Sequence, residues 1–248
     1  MNRNKTGSCK LCCKFSELRV GHVIPASIIK YVKKKTNKSQ FFNSLDMRVT
    51  EDLAKKRLMC GCCESLFGKY EKYFMEKVYR PIFENTLVEI KYSTEKVKYF
   101  ILSIVWRYYL CYSTNTSCNK TVSTLEYLRG LLLGEKHDSI SSLSIHMMPF
   151  ERIDVFREIP FELPGSFSLA GRNNHVKIQF PGLLLVSCGG NISMGDEFAD
   201  FAVSGKIESI YIASKMLLNV ALEHVEGNRK ILEKHNNRNV HTYPSEFL

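Results

Sequence analysis

Arg57-Leu58-Met59-Cys60-Gly61-Cys62-Cys63-Glu64 is the stretch on which the reading of this chain turns. It sets a C-x-x-C pair, Cys60 and Cys63, where the pattern becomes helical: Leu66, Phe67, Tyr70, Tyr73 and Phe74 recur at three- and four-residue spacing. A second pair, Cys9-Lys10-Leu11-Cys12, lies near the N-terminus. Two residues between ligands let a tight turn aim both thiolates at one ion, and two such knuckles build a tetrahedral site for structural zinc. Four thiolates close the shell and leave no redox chemistry. The predicted ligands are Cys9, Cys12, Cys60 and Cys63. Cys13 and Cys62 are surplus, so a register in which Cys12 or Cys62 replaces a neighbour stays open. Buried free cysteines and a redox or Fe–S role stay open too. Cys111, Cys118 and Cys188 are scattered and read as packing residues. The 47 residues between the pairs exceed a simple ribbon and predict an insertion.

The whole chain sets the bounds. With 248 residues it holds one large domain or two small ones. A composition 44% hydrophobic and 24% charged excludes wholesale disorder, and a chain of this size builds a core without disulfides. The greasiest run, Tyr99 to Tyr109, is short and carries Arg107, whereas a membrane span needs about 20 apolar residues. No membrane association is expected. The polar start, Met1-Asn2-Arg3-Asn4-Lys5, lacks the apolar segment of a signal peptide. The expected location is cytoplasmic, a reducing compartment where clustered cysteines are metal ligands more often than disulfides.

The formal charge of +10 is unevenly spread. Residues 1–80 hold 18 Lys and Arg against 7 Asp and Glu, and the remainder is nearly balanced. All the excess positive charge coincides with six of the nine cysteines. A basic module is the electrostatic footprint of a nucleic-acid partner, here DNA. Lys33, Lys34, Lys35 and Lys38 are the candidate phosphate contacts; the bland alternative is a solvated helix end.

Residues 1–20 read as a polar arm, a cysteine turn and a short strand, Ser16 to Val20. Ala26 to Val32 has helical character, and residues 36–50 read as a loop with a short strand. Pro81 should end or kink the helix that starts at Cys60. Lys96 to Cys111 and Ser123 to Leu133 read as helices, Ser144 to Met148 and His175 to Ser187 as β-prone, and Ser214 to His235 as a long apolar helix. That last helix is expected to be buried in its own domain or docked on a protein partner. The expected fold is α+β: a small zinc-bearing ββα module, a helical middle, a small antiparallel sheet and a long C-terminal helix. The expected division is a module over residues 1–85 and an accessory, partner-binding region over 86–248.

The insertion holds the informative histidine. In Leu18-Arg19-Val20-Gly21-His22-Val23-Ile24-Pro25 it ends an apolar strand just before a proline. The two knuckles can bring this imidazole and the carboxylate of Glu64 to one side of the zinc.

Residues 9–74 resemble the HNH nuclease core, the His-Me finger or ββα-metal fold in a zinc-knuckle variation. Cys9-Lys10-Leu11-Cys12, His22-Val23-Ile24-Pro25 and the Arg57–Glu64 stretch carry the resemblance. Cys63-Glu64, Phe67 and Glu71 are similar to the helix of a bacterial branch whose members look like parts of phage-defence or mobile-element systems. The resemblance implies His22 as the general base that takes a proton from the attacking water. It implies Glu64 as the ligand of a catalytic Mg²⁺ or Mn²⁺, with Glu71, two helical turns on, as a second carboxylate. Gly21 departs from the family pattern, which has an aspartate there that helps bind the metal, and Lys56 stands in the region where an asparagine is usual. Asn43 and Asp46 are candidates to substitute.

Three functions follow: a metal-dependent DNA endonuclease, a decayed zinc-stabilised nucleic-acid-binding or assembly module, and a structural subunit whose basic face contacts protein. Residues 90–248 carry no catalytic pattern: His146, His175, His224 and His235 are isolated, and Cys188-Gly189-Gly190-Asn191 lacks the spacing of a phosphate loop.

Overall fold

The first knuckle is the turn of a hairpin. β1 (Thr6–Ser8) and β2 (Phe15–His22) pair antiparallel, and Cys13 takes φ 60° inside the turn between them. The computed structural model describes residues 5–37, 39, 41–43, 48–52, 55–84, 90–112, 119–135, 144–149, 166–172, 175–188, 203 and 206–207, and over these the protein is α+β. β5 (Lys55–Cys60) pairs antiparallel with β2 and completes a three-stranded sheet in the order β1-β2-β5. β2 runs two residues past the expected Val20, so His22 is its last residue.

The β2–β5 pairing slips between Arg19 and Val20, from Arg19 opposite Met59 to Val20 opposite Arg57. A strand alternates faces at every residue, so such a bulge re-aims everything beyond it. The bulge is anchored, since the Lys10 amide of the first knuckle donates to the carbonyl of Leu58 at 2.8 Å.

β5 runs without a loop into α2 (Gly61–Phe74), with Cys60 as its N-cap. The backbone changes to a π-helical turn over Met75–Tyr79 and resumes as α3 (Arg80–Glu84). Pro81 therefore does not stop the chain. Proline has no N–H to donate, and the wider register, in which the Arg80 amide bonds the Met75 carbonyl, absorbs that loss in advance. α1 (Ala26–Thr36) is a turn longer than Val32 suggested, buries Ile28, Ile29 and Val32, and ends at Asn37 with φ 53°, a left-handed cap.

α4 (Thr94–Tyr112) packs along α2, and α5 (Asn119–Leu133) packs on α4. The α2–α4 seam is aromatic. Tyr70 stacks on Tyr99 with centroids 3.8 Å apart, Phe74 stacks on Phe100 at 4.0 Å, and Phe67 meets Trp106 edge-on at 6.1 Å. Phe67, Phe74 and Phe100 are each fully buried. Such burial is worth roughly 1.5–3 kcal/mol per side chain, which outweighs the weak intrinsic helix preference of aromatics.

β3 (Phe41–Asn43), β4 (Arg48–Thr50), β7 (Ser144–Pro149), β8 (Ser166–Arg172), β9 (His175–Phe180) and β10 (Leu183–Cys188) form a second sheet in the order β4-β3-β8-β9-β10-β7. All pairs are antiparallel except β3 with β8. Residues 36–50 thus supply two short strands rather than one, because a distant strand, β8, offers β3 an edge. The stretch His175 to Ser187 is a hairpin turned at Pro181-Gly182, where Gly182 supplies φ 81° without steric cost. Val176, Ile178, Phe180, Leu183 and Leu185 face the core, and Phe180 packs on Tyr79 at 5.8 Å. β6 (Ile90–Lys91) pairs with β11 (Lys206–Ile207). One hydrophobic core contains residues from both sides of position 85. The expected helix Ser214–His235 lies outside the described residues. No helix among the described residues is long and apolar enough to cross a membrane.

Candidate metal centre and active site

The Sγ atoms of Cys9, Cys12, Cys60 and Cys63 all lie within 4.8 Å of one another. All four cysteines are free thiols, and Cys12 and Cys60 sulfurs are 3.8 Å apart. A tetrahedron with metal–sulfur bonds of about 2.3 Å has an edge of about 3.8 Å, so the cluster could hold a metal such as zinc. Cys13 and Cys62 are exposed and are not part of this group of four. The backbone prepares the site. The Cys13 amide closes on the Cys9 carbonyl at 2.9 Å, and the Cys60 amide donates to Cys9 Sγ at 3.4 Å. Cys60 and Cys63 also sit at the N-terminus of α2, where the helix dipole favours negative charge. Burial opposes ionisation of Cys60, yet hydrogen bonds from Cys63 and the other thiols bring it down to about 7. Burial and the neighbouring sulfurs push Cys63 far up. One thiolate in the cluster therefore suppresses its neighbours, and a full set needs a cation.

The strand and helix that leave this cluster converge one turn further on. Glu64, the residue after Cys63, lays its carboxylate against the backbone of Gly21. A Cβ built at position 21 would lie 2.4 Å from Glu64 Oε1. That oxygen is buried and has no hydrogen-bond partner among the described residues. Burial raises the pKa of Glu64, with Arg107 acting against this and Glu71 adding to it. His22 follows Gly21, and its Nε2 is 3.0 Å from Asp52 Oδ1. Asp52 also pairs with Lys55. Thr50 holds the Asp52 backbone, with Oγ1 donating to its carbonyl at 2.8 Å.

Glu71 is on the same side of α2 as Glu64, but its Oε1 accepts from Arg107 at 2.8 Å. Asp52 and Arg107 are the residues that sequence reasoning missed. Asp52 stands beside His22; the side chain of Asn43 and the whole of Asp46, the candidates to substitute for the missing aspartate and asparagine, lie outside what the structure describes. Arg107 did leave a signal, as a lone guanidinium in the greasiest run of the chain.

The lysine patch is partly engaged inside the chain. Lys33 donates to the Glu51 carbonyl, and Lys35 pairs with Glu84 at 2.6 Å. Lys34 is exposed, as is Lys30 one turn before it, and Lys38 lies outside the described residues.

No protein-family model, no curated protein and no solved structure matches the chain.

Proposed function

We propose that the protein is a zinc-stabilised, metal-dependent endonuclease of the HNH-like kind that hydrolyses phosphodiester bonds of DNA. The observation that carries this reading is the Glu64 carboxylate lying against Gly21, the residue before His22, on the helix opened by the second cysteine pair. Zinc on Cys9, Cys12, Cys60 and Cys63 is structural in this reading, because a closed tetrathiolate shell has no position for substrate. His22 is the general base. Asp52 beside Nε2 favours an N–H at that nitrogen and leaves Nδ1 basic, ready to take the proton of the attacking water. Glu64, with a buried carboxylate oxygen that has no partner among the described residues, is the group suited to a hard dication. Mg²⁺ or Mn²⁺ there would supply charge stabilisation at the scissile phosphate and leaving oxygen. Glu71 holds Arg107 rather than facing the cation with both oxygens. A place in bacterial defence or mobile-element systems is proposed from the motif resemblance alone.

The test is incubation of supercoiled plasmid with the full chain and Mg²⁺, Mn²⁺ or EDTA. Nicking with the dications, abolished by EDTA and reduced ~10²–10⁴-fold in His22→Ala, supports the reading. Absence of nicking with every dication sinks it. One observation favours a binding-only module instead: the Arg107 guanidinium already neutralises carboxylate charge where a cation would sit. That alternative expects a salt-sensitive DNA gel shift and no cleavage.

A further inference from the structure

We propose that Arg107 is a positioning residue of this site, so that α4 forms part of the catalytic unit; the proposal rests on the endonuclease reading. Arg107 is 2% exposed, in the middle of an apolar helix. A guanidinium is not buried there for packing alone, since a leucine would fill apolar space without losing hydration. Its donors are spread over three elements. Nε donates to the Ser103 carbonyl at 3.2 Å and Nη2 to Ser103 Oγ at 3.2 Å, one turn back on its own helix. Nη1 donates to the His22 carbonyl at 2.7 Å, and Nη2 to Glu71 Oε1 at 2.8 Å. The plane also lies over the Phe67 ring, 5.3 Å from its centroid.

The rigid fork therefore sets the spacing between the last residue of β2 and the carboxylate face of α2. Those two surfaces carry His22 and Glu64. Lysine keeps the charge but cannot span these four acceptor atoms in a fixed geometry. α5 does the same for the metal cluster: Arg129, paired with Glu126 at 2.8 Å, donates to the Leu11 carbonyl of the first knuckle at 3.2 Å. The helices beyond residue 85 thus hold the cysteine–histidine module at two backbone points.

The experiment compares the full chain with Arg107→Lys and Arg107→Met. Zinc content, melting temperature and the emission of Trp106, the single tryptophan, report whether α4 still packs on α2. Cleavage is measured against Mn²⁺ concentration, and amide hydrogen exchange is followed by peptide. The expected result is a kcat loss on the order of 10–100-fold at saturating Mn²⁺ in both variants, corresponding to loss of charge-assisted hydrogen bonds. The Mn²⁺ concentration for half-activity should not rise, because the competing positive charge is unchanged in Arg107→Lys and removed in Arg107→Met. Exchange should quicken at residues 20–24 and stay unchanged around Cys9–Cys12. Should Arg107→Met fail to fold, Arg107→Lys carries the comparison. Wild-type kcat in Arg107→Lys overturns the proposal, as does exchange that quickens uniformly with a fall in melting temperature. If the wild-type chain cuts nothing, the endonuclease reading fails by itself. Exchange then decides on Arg107: a local increase at residues 20–24 supports positioning, and no local increase overturns it.

Discussion

Glu64 occupies the volume that a side chain on residue 21 would need. Its Oε1 lies 2.4 Å from where a Cβ on Gly21 would be placed, and Gly21 has no positive φ to require glycine for backbone reasons. The glycine that looks like a missing aspartate is a space reserved for a carboxylate from α2.

Gly21→Ala is therefore expected to displace the Glu64 carboxylate and reduce Mn²⁺-dependent cleavage at least tenfold, although no titratable group is altered. Gly21→Asp should lose activity as well, since it sets a second carboxylate against Glu64 and the like charges push the Glu64 carboxylate aside. Zinc analysis and circular dichroism check that the fold survives. Cleavage by Gly21→Ala at the wild-type rate would show that the position of Glu64 does not matter.

Zinc binding should be inseparable from folding of the N-terminal module. Structural zinc contributes on the order of 10 kcal/mol, more than a small module holds in reserve. Fresh, reduced protein is expected to contain about one zinc per chain. Cys60→Ser should lose the metal and the melting transition, whereas Cys62→Ser should keep both, because Cys62 is exposed and outside the cluster. Inductively coupled plasma analysis and thermal melts read both outcomes.

DNA affinity should depend on the exposed lysines of α1 more than on their engaged neighbours. Lys30→Glu with Lys34→Glu is expected to weaken binding at low salt and to flatten the log–log salt plot by roughly 0.9 per lost phosphate contact. Lys35→Glu should instead lower stability, because it sets a carboxylate against Glu84. Fluorescence anisotropy at several salt concentrations, with melts of the same variants, separates the two effects.

The second sheet should carry an acid sensitivity at His146. Its imidazole is buried, its Nδ1 has no partner among the described residues, and burial holds its pKa below the usual value. The unfolded chain therefore takes up a proton that the folded chain disfavours. Stability is fully present above about pH 6.5, the ordinary histidine value, and is lost as pH falls through the lower folded-state value. His146→Leu should flatten this limb and raise stability by about 1 kcal/mol, the cost of an unpaired buried polar atom. Denaturant melts between pH 5 and 8 test the sign, and an unchanged acid limb would count against it.

The sequence by itself determined what local chemistry can state. Two C-x-x-C pairs limited the metal ligands to six cysteines, three- and four-residue spacing marked α2, and the apolar run marked α4. These features depend on neighbours a few residues apart, so no long-range information was needed. Tertiary structure alone decided which four cysteines converge, because that depends on the β2–β5 register and on the turn at Cys13. It alone brought Asp52 to His22 across 30 residues and Arg107 to His22 across 85. It alone paired β3 with β8, a contact that short strands cannot announce, since their partner lies more than a hundred residues away. The reason is common to all three: a lone aspartate, arginine or two-residue pairing has no period in the sequence. Its meaning comes only from the burial and the partners that folding supplies.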